Sequence, residues 1–279
     1  MIINVESIDK LTEDICNCFD IVPEYLQERI MDMAEEASKQ KDYTSSFFEL
    51  SERFISEYTS EKINEVFLCH LTRSIDCPTI LMPLQALLTT ENSFSSFLKE
   101  HCLEFRKEGN CIGMWYKGRH IPREQLYDST RFENDHVRLA GRLGYIGEKD
   151  YCVNGFVFAI DPENSTDGYY QNLMDGPELL QDLDAFLGTN LNEEYCKRTK
   201  YYFALARVPL EDIIFDDRPD LNIEGDRTNA FLTVCFEFLL SWYSRTRWSQ
   251  YLHNEIIRIN DYSSVCVDHY IDLPSRYKV

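Results

Sequence analysis

The chain has 279 residues, 44% of them hydrophobic and 13% aromatic, which excludes a disordered chain and allows one large domain or a medium domain with an appendage. Its 48 acidic and 28 basic residues give a net charge of −20, so phosphate backbones repel it and nucleic-acid binding would require a local basic patch. The ten cysteines are too sparse for a disulfide-stapled scaffold, and with no secretory leader or membrane-length apolar run they indicate reduced thiols in a cytoplasmic, non-membrane protein.

Residues 1–62 are predicted to form a helical extension. Pro23 suits the first turn of a helix, and apolar residues then recur at three- and four-residue steps from Leu26 to Ala37. A second amphipathic helix is predicted over Tyr43–Tyr58. The apolar faces of these helices either pack on the rest of the protein or bind a partner protein.

Residues 63–279 are predicted to form an α+β domain that begins with a buried strand. Val66–Arg73 is a short apolar run that contains His70 and Thr72. Asp76 then suits a helix N-cap, with Pro78 in the first turn of a helix that continues to Leu88. Another helix is predicted over Asn92–Glu100.

The middle of the chain is predicted to be rich in strands and loops. Cys102–Arg106 and Cys111–Tyr116 form a hairpin around the turn residues Gly109 and Asn110. The charged stretch Arg119–Lys149 carries loop signals, and its glycines fit neither the Rossmann nor the P-loop spacing. Gly155–Asp161 is predicted to be a strand.

The last third alternates helices and strands. Helices are predicted over Gly176–Leu187 and over Arg227–Tyr243, the second apolar almost all round and therefore buried. Strands are predicted over Tyr201–Val208, Glu255–Ile259 and Ser264–Ile271.

Two local patterns resemble the ADP-ribosyltransferase family. Phe67-Leu68-Cys69-His70-Leu71-Thr72, with a following helix that ends Ala86-Leu87-Leu88, is similar to the first strand and helix of its His-type branch. Glu255-Ile256-Ile257-Arg258-Ile259, preceded by Trp248, is similar to the strand that presents the family's catalytic glutamate. Prokaryotic ADP-ribosylating toxins share this outline, although Ala86 stands where the family often has glycine.

The resemblance implies an ADP-ribosyltransferase-like fold of packed β-sheets with flanking helices, and an NAD-consuming transferase or glycohydrolase that acts as a toxin or antiviral-defence effector. It assigns catalysis to Glu255, whose charge would stabilise the oxocarbenium-like ribose that forms as nicotinamide leaves. The acceptor of ADP-ribose, a protein or a nucleic acid, stays open. The resemblance and the chemistry of the ligand together suggest these NAD-binding residues: His70, Thr72, Arg73, Tyr145, Tyr151 and Arg258.

Other interpretations remain open at this stage. The first alternative is a non-catalytic acidic protein that binds and regulates a partner through its charge or its N-terminal helices. A nuclease would need clustered carboxylates for metal ions, and the dense group Asp216-Asp217-x-x-Asp220 is more typical of a loop. We expect no metal, because CxxC and HExxH motifs are absent and only Cys69, His70 and Cys77 could converge on an ion.

Two groups of arginines are the compact basic features of the sequence. They are either solvated faces and structural ion pairs or, as an alternative, sites for the pyrophosphate of a small ligand. The groups are Arg131, Arg138 and Arg142, and Arg245, Arg247 and Arg258.

Overall fold

The computed structural model describes residues 1–58, 63–126, 134–147, 149, 151–159, 175–216, 218–222, 227–244 and 254–273. The chain divides into two compact units. Unit 1 comprises Met1–Cys69, Asn154–Gly168 and Arg207–Arg258, and unit 2 comprises His70–Val153, Tyr169–Ala206 and Ile259–Val279.

Helices and strands both contribute, which confirms the predicted α+β class. The helices are α1 (Ile8–Phe19), α2 (Pro23–Ala37), α3 (Tyr43–Glu57), α4 (Leu84–Thr89), α5 (Ser93–Glu100), α6 (Arg123–Leu126), α7 (Asn134–Arg142), α8 (Glu178–Leu187), α9 (Leu191–Arg198) and α10 (Arg227–Ser244). The strands are β1 (Glu65–Ser74), β2 (Ile80–Leu81), β3 (Leu103–Glu108), β4 (Cys111–Tyr116), β5 (Arg119–Ile121), β6 (Asn154–Phe156), β7 (Lys200–Pro209), β8 (Ile214–Phe215), β9 (Ile256–Arg258) and β10 (Val265–Leu273).

The N-terminal region is helical as predicted, and its breaks have local causes. The α1 helix ends at Asp20, which adopts a left-handed φ of 53°. Pro23 occupies the first turn of α2, where its missing N–H costs no helical bond. The Asp42 carboxylate caps α3 by accepting from the Ser45 N–H at 3.1 Å. The predicted boundary at residue 62 adjoins residues 59–62, which lie outside the described part, so the two-domain division stays a prediction.

Unit 1 contains the antiparallel strand order β1-β6-β9-β8. Cys69 is opposite Phe156, and Phe156 is opposite Ile256, so one short strand separates β1 from β9. Helix α10 packs on α2 and α3, and it is buried along most of its length, as its apolar sequence predicts.

Unit 2 contains two groups of antiparallel strands, in the orders β2-β10-β7 and β3-β4-β5. The β3–β4 hairpin is the predicted one, with Leu103 opposite Tyr116. An apolar cluster lies between the inner face of this hairpin sheet and helices α4, α5, α7, α8 and α9. Its members include Phe97, Met114 and Tyr151.

The predicted helix from Asp76 to Leu88 is wrong in its first half. Ile80 and Leu81 form β2 and pair with β10, and the helix begins only at Leu84. Proline disfavours helical geometry in the residue before it, and Pro78 and Pro83 both lie in this stretch. Cys77 also has a positive φ of 27°, which is outside the geometry of a right-handed helix.

The stretch Arg119–Lys149 carries loop signals, and it also contains β5, α6 and α7. Helix α7 buries Leu139 and Ala140 in the apolar cluster of unit 2, so tertiary packing stabilises a helix in a charged segment. Helix α9 is a further element that the sequence pattern did not predict.

The predicted strand Gly155–Asp161 pairs as a strand only through Phe156. Beyond it, the Val157 N–H donates to the Glu255 carbonyl and the Ala159 N–H to the Val5 carbonyl, so backbone bonding continues irregularly. Asp161 lies outside the described residues. In the part of the chain that is described, no helix is both long and apolar enough to cross a membrane.

Candidate functional site

Glu255 lies in unit 1, immediately before β9, where its backbone continues the strand pairing. Its carbonyl accepts from the Val157 N–H at 3.1 Å. The side chain is only 4% exposed, and its Oε1 lies 3.3 Å from Nη1 of Arg218. A buried carboxylate is costly unless charge or hydrogen bonds compensate it, and this arginine provides both.

Asn254 holds the backbone just before Glu255. Its Oδ1 accepts from the Phe158 N–H at 3.0 Å, and its Nδ2 donates to the Phe158 carbonyl at 2.7 Å. The Phe158 ring stacks on Phe238 of α10 at 4.0 Å between centroids. The side-chain amide therefore replaces a strand hydrogen-bond pair and fixes the start of β9 against the neighbouring segment.

Arg218 gathers three carboxylates in unit 1. Its Nε and Nη2 bind Asp220 at 3.1–3.2 Å, and its Nη1 lies 3.2 Å from Oε2 of Glu237 and 3.3 Å from Glu255. Burial lowers the pKa of Arg218, but the hydrogen bond to Asp220 and the charges of the three carboxylates outweigh burial and raise it. The guanidinium therefore stays charged and holds three carboxylates around it.

Arg258 is at the other end of β9. Its Nε donates to Asp216 at 2.7 Å, and it is opposite Asn154 on β6 and Ile214 on β8. Asp216 and Asp220, from the predicted acidic loop, thus each bind an arginine. Among the described residues, no group of three or more His, Cys, Asp or Glu side chains is arranged to hold a metal ion.

His70, Thr72 and Arg73 lie on the part of β1 that belongs to unit 2. Side chains alternate between the two faces of a strand, and the burial pattern follows that alternation. His70 and Thr72 are partly exposed, whereas Leu71 and Arg73 are buried. The strand therefore brings His70 and Thr72 together on one face and puts Arg73 on the other.

Arg73 is 5% exposed and packs among aromatic side chains of unit 2. Its guanidinium carbon lies 5.1 Å from the centre of the Tyr201 ring, and the Tyr195 hydroxyl donates to its carbonyl at 3.0 Å. Burial raises the pKa of Tyr201, and the arginine charge opposes that rise. The contact is a cation–π pair in a buried setting.

The two candidate tyrosines differ in access. Tyr151 is fully buried in the apolar cluster of unit 2, and its hydroxyl donates to the Leu143 carbonyl at 3.0 Å. Burial raises its pKa to about 12. Tyr145 is partly exposed, and burial together with the charge of Glu108 raises its pKa to about 12. Of the two rings, that of Tyr145 is the accessible one.

The structure thus places Glu255 and Arg258 in unit 1 and His70, Thr72, Arg73, Tyr145 and Tyr151 in unit 2. In the arginine groups, Arg138 and Arg142 both bind Asp182. Trp248, Arg131, Arg245 and Arg247 lie outside the described residues.

Sequence reasoning missed three residues around Glu255, namely Arg218, Glu237 and Asn254. Arg218 is 37 positions from Glu255 along the chain, and Glu237 lies on a buried helix, so no local pattern marks their convergence. The adjacency of Asn254 to Glu255 was the only available signal.

Comparisons with protein-family models, curated proteins and solved structures found no match.

Proposed function

We propose that the protein cleaves the nicotinamide–ribose bond of NAD and transfers ADP-ribose to a macromolecular target or to water, as a toxin or defence effector. The proposal combines the resemblance of the two strand motifs to ADP-ribosyltransferases with the surroundings of Glu255. The proposal also includes an ADP-ribosyltransferase-like fold for this α+β protein.

The observation that carries the proposal is the fixed carboxylate of Glu255 within an acidic group. As nicotinamide leaves, positive charge develops on the ribose, and a carboxylate already in place stabilises that charge without reorganising. Arg218 and Asn254 restrain Glu255 from two sides, by an ion pair and through the backbone.

The resemblance supplies the roles of the other residues. His70 would orient the adenine-side ribose, and Thr72, on the same strand face, would add a hydrogen bond. Tyr145 offers an accessible ring for stacking on nicotinamide. Arg258, whose side chain is 33% exposed, would bind the pyrophosphate, which arginine holds with two parallel hydrogen bonds.

The test is release of nicotinamide from NAD labelled in the nicotinamide ring. Wild-type protein should release it, and Glu255→Gln should lower the rate on the order of 100- to 1000-fold, as loss of a transition-state charge contact does elsewhere. Glu49→Gln, an exposed glutamate on α3, is the matched control and should keep the wild-type rate. Equal release by wild type and Glu255→Gln would remove the proposal.

A second function, binding and regulation of a basic protein partner, is favoured by the net charge of −20. Val22, Tyr25 and Met31 in and just before α2 are also exposed apolar residues. Partner capture should then survive Glu255→Gln and weaken when acidic residues of α2 are reversed to lysine. Capture that is lost with Glu255→Gln alone would contradict this function.

A further inference from the structure

Two glutamate side chains of unit 1 contact the same nitrogen atom of Arg218. Nη1 of Arg218 lies 3.2 Å from Oε2 of Glu237 and 3.3 Å from Oε1 of Glu255, so these two oxygens are no more than about 6.5 Å apart. Enzymes that cleave glycosidic bonds commonly place two carboxylates beside the bond, at a separation that depends on the mechanism. The nicotinamide–ribose bond is an N-glycosidic bond whose leaving group departs as neutral nicotinamide and needs no acid, so the two tasks left for carboxylates are to stabilise the ribose charge and to activate the nucleophile.

The two carboxylates differ in their access to solvent. The Glu237 side chain is 26% exposed, whereas that of Glu255 is 4% exposed. Because Glu237 is the more accessible of the two, it can exchange a proton with solvent, whereas Glu255 is held by its ion pair with Arg218. Glu237 also lies near Tyr43, whose pKa is raised by burial and by the charge of Glu237.

We infer that Glu237 is the general base of the reaction and accepts the proton of the attacking nucleophile. This inference rests on the proposed function and assigns the acceptor a chemical class, a water or a hydroxyl group whose proton must be removed. The C1′–N bond breaks and its electron pair leaves with nicotinamide. The acceptor oxygen bonds to C1′, and its proton passes to Glu237 and then to solvent.

Arg218 has a positioning role in this arrangement. Because one nitrogen holds both carboxylates, the arginine fixes their spacing, while Asp220 holds the other edge of the guanidinium. Asp220 is 57% exposed and binds Nε and Nη2 rather than the shared Nη1. Asp220→Asn therefore loosens the arginine without removing either glutamate, and it separates an effect on Arg218 from the loss of a base.

The experiment measures nicotinamide release by wild type, Glu237→Ala, Glu237→Gln and Asp220→Asn. Both Glu237 variants should be slower on the order of 100-fold or more, the usual contribution of a general base, and Asp220→Asn should be much less affected. Sodium azide should restore release by Glu237→Ala, because an anionic nucleophile has no proton to remove. The product would be ADP-ribosyl azide, identified by mass, and sodium chloride at equal concentration should restore nothing.

Three results would overturn the inference while leaving NAD cleavage standing. They are undiminished release by both Glu237 variants, a loss in Asp220→Asn as large as theirs, and a slow Glu237→Ala that azide does not rescue. Absence of release by the wild type is a different result, since it removes the proposed function and the role of Glu237 with it. Circular dichroism of each variant checks that the fold is retained.

Discussion

The side-chain amide of Asn254 gives the sharpest structural prediction, because its two hydrogen bonds have no simple replacement. In Asn254→Ala, the buried N–H and carbonyl of Phe158 lose the partners that lie at 3.0 and 2.7 Å. Leaving a buried polar group unsatisfied costs about 1–3 kcal/mol, so two such groups predict a loss of about 2–6 kcal/mol in the free energy of unfolding.

A graded comparison separates the two bonds. Asn254→Asp keeps an acceptor for the Phe158 N–H but brings a carboxylate oxygen against the Phe158 carbonyl, so it should also be destabilising. Urea unfolding followed by circular dichroism gives the free energies, and hydrogen exchange at the Phe158 amide reports the local bond. A loss below about 0.5 kcal/mol in Asn254→Ala, the usual range of a neutral surface change, with unchanged exchange at Phe158 would refute the reasoning.

Three further predictions concern unit 2 and the thiols. Asp182→Ala removes a 1% exposed carboxylate that binds two arginines of α7. Because those arginines can rehydrate, we expect the free energy of unfolding in urea to fall by about 2–3 kcal/mol, which is less than the full cost of a broken buried pair. An unchanged unfolding midpoint would contradict this prediction. Gly144→Ala should lower the melting temperature, since its φ is +77° and the added Cβ would lie 2.1 Å from the Tyr151 hydroxyl oxygen; an unaltered melting temperature would show that the turn relaxes freely. Burial raises the pKa of the Cys69 thiol, so at pH 8 the thiol stays protonated and should resist iodoacetamide in the folded protein. The exposed thiol of Cys77 should react. Equal labelling of the two cysteines, measured by mass spectrometry, would count against the described burial of Cys69.

The sequence predicts elements well where capping and periodicity agree with packing. Pro23 marks the start of α2 and Asn92 caps α5, as local chemistry requires. The apolar run of α10 correctly indicates a buried helix. Local signals fail between Cys77 and Leu81, where prolines and pairing with β10 override the apolar spacing.

The surroundings of the candidate catalytic residue were less accessible to prediction. Glu255 was singled out by its place before an apolar strand, but its ion pair with Arg218 joins positions 37 residues apart, and Glu237 joins the group from a helix. Such convergence depends on how α10 and β9 pack in unit 1. The separate faces of His70 and Arg73, by contrast, follow from strand alternation and were available from the sequence.

The proposed function depends most on whether the carboxylate of Glu255 drives cleavage of NAD. The direct measurement is the number of nicotinamide molecules released per protein molecule at saturating NAD, for wild type and for Glu255→Gln in parallel. We predict many turnovers by the wild type and almost none by the variant. Many turnovers by both proteins, or none by either, would contradict the account.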